Sequence, residues 1–279
     1  MRRKYLIAIV MIVGSVWAPA LALEPFGPPA AGLNEAQWGV GLDFSHSRTA
    51  LKLTNGKSTV TGSTSSAIEG WTIKNYTADV ATVYIGCGLS NQIEGFARIG
   101  YMTTENSTGT FTLNDVNGIP YGSPAKYGGH TGYAFGVGGK ATVWEQDDLK
   151  LGGIVQFNWE KPNGSAKINH LGLGTGYYSM DLVVMSLQIA AGPTYKIRDD
   201  ISIYGGPFLQ YISGNIKLLG PFPGNTSLQG KHTANIEQQN YFGGFIGFQI
   251  ELSKDNPLNI EYQHTATDNA LAMNMVWKY

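Results

Sequence analysis

Gln37-Trp38-Gly39-Val40-Gly41-Leu42-Asp43-Phe44-Ser45 is the stretch that decides the fold. In an extended chain, Trp38, Val40, Leu42 and Phe44 fall on one side. Gln37, Gly39, Gly41, Asp43 and Ser45 fall on the other. A period of two is the signature of a strand with one apolar face and one polar or small face. The same alternation returns at residues 81–89, 93–101, 132–143, 149–160, 183–195, 201–211, 242–252, 258–265 and 270–279. The sixth stretch has an unclear start, because Asp181 would fall on its apolar face. Pro207 within the seventh argues for a bulge or a missing ladder bond.

The reading is an all-β up-and-down antiparallel transmembrane barrel of about ten strands, each near the ~9–11 residues that a tilted spanning strand needs. Short turns at Ser90-Asn91, 145–148, 196–200 and 253–257 alternate with long excursions near 46–76, 103–129, 161–177 and 213–238. The connection at 264–269 is the one short link at the long-loop end. Short turns on one side and long loops on the other place the turns, and both termini, in the periplasm. A possible Asn55-Gly56 hairpin within 50–60 would give twelve strands if it crossed the membrane. Arg48, Lys52 and Lys57 disfavour that, and the segment is expected to lengthen a hairpin above the membrane instead. Along this path Phe44, Tyr101, Tyr133, Phe157, Trp159, Tyr211, Phe242 and Tyr262 gather near one end and Trp38, Tyr195, Trp277 and Tyr279 near the other. Two aromatic belts around an apolar band suit a bilayer, not a soluble core.

The chain begins like an export signal. Arg2, Arg3 and Lys4 precede an apolar run from Tyr5 to Trp17, and Ala20-Leu21-Ala22 fits a cleavage site that would leave Leu23 as the new N-terminus. Residues 1–22 are therefore expected to be removed, 23–35 (rich in Pro, Gly and Ala) to form a periplasmic leader, and 36–279 to form the barrel. No other stretch approaches the ~20 apolar residues of a spanning helix. Loss of the three basic residues takes the formal charge from −1 to −4, which gives no support to nucleic-acid binding. Cys87 is the single cysteine; it falls on the lipid face and cannot form an internal disulfide.

The mature chain resembles the outer-membrane β-barrel superfamily of Gram-negative bacteria. Its closing segment, Leu271-x-Met273-x-Met275-x-Trp277-x-Tyr279, resembles the C-terminal signature that the barrel-assembly machinery reads in that superfamily, with tyrosine where phenylalanine is commoner. The resemblance implies outer-membrane lipid and that machinery as partners, together with an extracellular ligand of unknown kind.

If the apolar face meets lipid, the other face lines the lumen. The inward glycines then read as a response to little interior space. The inward charges are Asp43, Glu94, Arg98, Lys140, Lys150, Glu160, Glu251, Glu261 and Lys278. They form either a polar network that fills the barrel or a charged constriction that selects solutes. Glu94 and Arg98 lie about 13 Å apart on one strand. Each must find its partner on another strand, Arg98 an acid and Glu94 a lysine, and Lys140, Lys150, Glu251 and Glu261 are the inward charges available to them.

Chemistry is sparsely signposted. His46, His130, His170, His232 and His264 all fall at the long-loop end without close His-x-His pairing, so no metal site or cofactor is expected. The omptin surface proteases are similar in size and strand number. Here the Asp147-Asp148 and Asp199-Asp200 pairs lie at the periplasmic end, and His264 with Asp268 is the best couple left at the rim. The leading reading is a non-enzymatic surface protein whose long loops meet the outside in an adhesion or envelope role. A narrow porin-like channel for ions or small solutes is the alternative, and a rim hydrolase the third.

Overall fold

A computed structural model describes residues 24–61, 66–105, 107–114, 120–170, 174–223, 225–237 and 241–279; the expected signal segment lies outside them. Twelve strand segments form one antiparallel sheet: β1 (Trp38–Val60), β2 (Ser66–Ser90), β3 (Ile93–Thr104), β4 (Ser107–Asn114), β5 (Pro120–Gln146), β6 (Leu149–His170), β7 (Gly174–Arg198), β8 (Ile201–Phe222), β9 (Asn225–Glu237), β10 (Phe242–Ser253), β11 (Asn256–Thr265) and β12 (Asn269–Lys278). β4 continues the ascent of β3 between the same two neighbours, β2 and β5. β9 and β10 likewise share one descent beside β8. The twelve segments thus make ten spanning paths, closed by β12 against β1.

The long excursions expected as loops are strands. Four of the five upward hairpins run far beyond the membrane, and only β11–β12 stops at its rim. Above that short hairpin, β1 exchanges its neighbour: Gly39 to Arg48 pair with β12, whereas Lys52 to Val60 pair with β9. A ring of ten strands becomes a turret of eight. The Asn55-Gly56 turn does not form. Asn55 has φ 53° and marks a bulge at which β1 shifts register between Thr54 and Lys57 before it runs on. A second bulge, at Asn75 (φ 53°), does the same on β2.

The boundary between ring and turret is written in the side chains. On β6 the outward residues are Leu151, Val155, Phe157 and Trp159, then Lys161, Asn163, Ser165, Lys167 and Asn169. The inward ones are Gln156, Asn158 and Glu160, then Ala166, Ile168 and His170. The alternation never slips; its chemistry inverts. Below the boundary the outside meets lipid and the inside is polar. Above it the outside meets water, so apolar side chains turn inward. Phe44, Tyr101, Tyr133, Phe157, Tyr211, Phe242 and Tyr262 ring the upper edge of the band, with Trp38, Tyr195 and Tyr279 at the lower edge, all exposed. This is a transmembrane barrel, and Asp181, out of place on a lipid face, lies on the watery outside of the turret beside Lys217.

An eight-stranded barrel has an interior that side chains can just fill. Trp71, Ile73, Tyr127, Ile168, Tyr178, Met180, Leu182, Ile216 and Leu218 fill this one and are all buried. Trp71 Nε1 donates to the Tyr127 hydroxyl at 2.6 Å, and His170 Nε2 lies 2.9 Å from the Tyr178 hydroxyl.

Candidate functional site: the occupied lumen

Residues 24–37 do not hang in the periplasm, as their Pro/Gly composition suggested. They turn back from the start of β1 and climb into the barrel. Three prolines (Pro25, Pro28, Pro29) remove N–H groups and keep the segment extended. The remaining amides need acceptors in a confined space, and the wall supplies carboxylates. Glu261 accepts from the Phe26 and Gly27 amides, both at 3.0 Å. Glu94 accepts from Gly32 (2.8 Å) and Leu33 (3.1 Å), and its other oxygen takes the Tyr84 hydroxyl at 2.5 Å. Thr142 Oγ1 accepts from Ala31 at 3.1 Å.

The leader's carbonyls are captured as well. Arg98 Nη2 donates to the Pro25 carbonyl at 2.8 Å. Gln156 and Gln263 donate to the Glu24 carbonyl at 3.2 and 2.9 Å. Phe26 is fully buried, its ring 5.4 Å from Phe208 and 5.0 Å from Phe245. Two wall glycines exist for this passage. A Cβ on Gly152 would come within 2.5 Å of the Ala30 backbone, and one on Gly88 would collide with the Asn34 carbonyl. Glycine therefore admits a second backbone here, beyond the general shortage of space inferred from sequence.

Arg98 is the centre of the network. Its Nε meets Asp43 at 2.5 Å, its Nη1 meets Gln156 Oε1 at 2.8 Å, and its guanidinium lies 4.5 Å from the centre of the Phe96 ring. Asp43 takes a further bond from Asn274 Nδ2 across the β1–β12 junction. Arg98 does pair with an acid, but with Asp43 and not with Glu251 or Glu261, the acids expected for it. Glu94 does not take the lysine expected for it: Lys140 is its register neighbour, but Glu94 spends its oxygens on the leader and Tyr84. Glu160 and Glu261 are buried inside the barrel. Lys150 and Glu251 line the lumen at its mouth, below the leader. Lys150 is half-exposed at the periplasmic mouth, 2.8 Å from Glu145, and Glu251 accepts from Gln249 there at 2.8 Å. Lys278 lines the same mouth.

The rim couple does not assemble. His264 stacks on Tyr262 on the outer face (centroids 6.3 Å apart), while Asp268 is buried and holds the Thr265 and Thr267 hydroxyls. Nor do the histidines share one place: His46 is on the outer wall bonded to Asp79, His170 and His232 stack inside the turret with centroids 6.2 Å apart, and the side chain of His130 is outside the described set. Among the described residues no three potential ligands gather as a metal site. Of the closing segment, Leu271 and Met273 line the outer wall beside β1 and Tyr279 is exposed at the periplasmic end.

No family model matches this sequence, and no curated protein matches it. Among solved structures, the outer membrane protease OmpT from Escherichia coli is similar at 12% identity over 86% of this chain and 94% of that one, with a TM-score of 0.47. The COG4313 outer membrane channel from Pseudomonas putida F1 is similar at 10% identity over 92% and 100%, TM-score 0.42. The outer membrane protein OprG from Pseudomonas aeruginosa is similar at 7% identity over 89% and 98%, TM-score 0.38. Likenesses this distant transfer no site and no activity. The barrel stands on the chain's own closed sheet and lipid-facing band.

Proposed function

We propose that this outer-membrane barrel is a sealed platform that presents its turret to the outside, a non-enzymatic surface role rather than a pore. The observation that carries the reading is double closure. The leader occupies the lumen from the periplasmic side, and the packed side chains of the turret occupy it above. In planar bilayers the purified protein should give no steady current at neutral pH. A wild-type protein that conducts steadily would sink the proposal and favour the channel reading.

The turret's outer face supports display. Register places Lys74 beside Thr108, Thr108 beside Lys126, Lys126 beside Lys167 and Lys167 beside Tyr177. All five side chains are exposed, and Lys167 also lies 5.5 Å from the centre of the Tyr177 ring. Like charges directly opposite on a sheet are destabilising; Lys126 and Lys167 are such a pair, and Lys74 adds a third positive charge two strands from Lys126, so an anion that meets all three is favoured. The ligand class that fits is a surface polyanion. Retention on a sulfated-polysaccharide column should be salt-sensitive and should drop sharply in Lys126→Glu/Lys167→Glu. Equal retention of the two proteins would remove the row from the proposal.

A further inference from the structure

The leader climbs into the lumen as far as Glu24, the first described residue, whose carbonyl is held inside the barrel by Gln156 and Gln263. The packed side chains of the turret close the space above this point. The leader itself fills the space below. Neither direction leaves a passage for the residues that precede the expected cleavage point between Ala22 and Leu23.

The carboxylates around the tip of the leader are short of positive charge. Glu24 and Glu160 are only 3% and 4% exposed. Glu24 Oε2 is enclosed and accepts no hydrogen bond among the described residues. Glu160 stands four residues above Gln156 on the inward face of β6 and feels the negative charge of Glu24. The other buried acids are provided for: Asp43 has Arg98, and Glu94 and Glu261 have the leader's amides. Arg98 attracts Glu24 as well, but its bonds go to Asp43, Gln156 and the Pro25 carbonyl. Two buried carboxylates that repel one another are costly unless a cation meets them.

We propose that processing makes this cation: removal of residues 1–22 frees the α-amino group of Leu23 inside the lumen, where it is the counter-ion of Glu24 and Glu160. Covalent geometry sets the place, since successive Cα atoms are about 3.8 Å apart and Leu23 is the residue joined to Glu24. An ammonium brings three donors and a full charge, which is what the enclosed Glu24 oxygen lacks. In the unprocessed chain the same nitrogen is a neutral amide, so the plug is locked only after cleavage. The site recognises the chain's own end and is independent of the surface-display reading: a wild-type barrel that conducts would leave it standing.

The test uses the mature protein purified from outer membranes in detergent. Its intact mass should correspond to residues 23–279. 2-Pyridinecarboxaldehyde, which caps α-amines and spares lysines, should modify the folded protein about a hundred-fold or more slower than the urea-unfolded chain, because the reaction waits for the barrel to open. A mass that begins at another residue, or equal rates in the two states, would overturn the proposal, and neither measurement needs a variant. Charge pairing is tested separately from burial. Acetylation of the unfolded chain near pH 6.5, where the α-amine (pKa about 8) outcompetes lysine (about 10.4), removes the charge. After refolding, the acetylated wild type should unfold at a clearly lower urea concentration than the unmodified protein. In Glu160→Gln the same acetylation should shift the midpoint far less, because one of the charges that the amine balances is already gone. Equal shifts in the two proteins, or no shift in the wild type, would show that the amine is not paired there and end the idea.

Discussion

Arg98→Ala should lower the free energy of unfolding in detergent micelles by about 3–5 kcal/mol, the usual cost of removing one member of a buried ion pair. Both partners are out of solvent, with Arg98 at 2% exposure and Asp43 at 1%. The substitution strands three acceptors: Asp43 Oδ2, Gln156 Oε1 and the Pro25 carbonyl. The last of these belongs to the leader, so the loss should also loosen the plug. Lys52→Ala is the control. Its pair with Glu237 (3.1 Å) is about half exposed on both sides, so its removal should cost no more than about 1 kcal/mol. Adding Asp43→Asn to Arg98→Ala removes the orphaned charge and should recover part of the loss. The measurement is a urea titration followed by heat-modifiable gel migration. A change under about 1 kcal/mol in Arg98→Ala would mean that the lumen is wet and the network loose, against the sealed reading.

Acid should weaken the turret through His232. This imidazole is packed inside the apolar turret, and burial, aided by the charge of its neighbour His170, pushes its pKa down from 6.5 to about 4. Burial lowers that of His170 in the same sense. The sign follows from proton binding. The unfolded chain takes up the proton near pH 6.5 and the folded chain resists it until about pH 4. The contribution to stability is thus full above pH 6.5 and is lost as pH falls through that window. At ~1.36 kcal/mol per pKa unit, the loss attributable to His232 is on the order of 3 kcal/mol. Carboxylates titrate over the lower part of the same range, so the informative quantity is the difference between the wild type and His232→Phe, which keeps an aromatic ring in the same packing. The variant should show a markedly flatter dependence of its unfolding midpoint between pH 6.5 and pH 4. Parallel curves would mean that His232 reaches water when folded.

The sequence by itself determined the barrel. Alternation with period two, short turns at one end and aromatic belts at the two edges of an apolar band are local properties of the chain, and they fixed ten spanning paths and the inward faces of Asp43, Arg98, Glu160 and Glu261. It also held a clue to the turret. The apolar pattern on each long strand ends where the outside changes from lipid to water, and the ending of the pattern reads as the ending of the strand. Only the tertiary structure shows that β6 continues with the same parity and inverted chemistry, while the bulges at Asn55 and Asn75 hide the continuation on β1 and β2. The leader's place was beyond sequence reading for a different reason. A Pro/Gly segment has no periodicity, and its energy comes from acceptors more than 60 residues away on Glu94 and more than 230 away on Glu261.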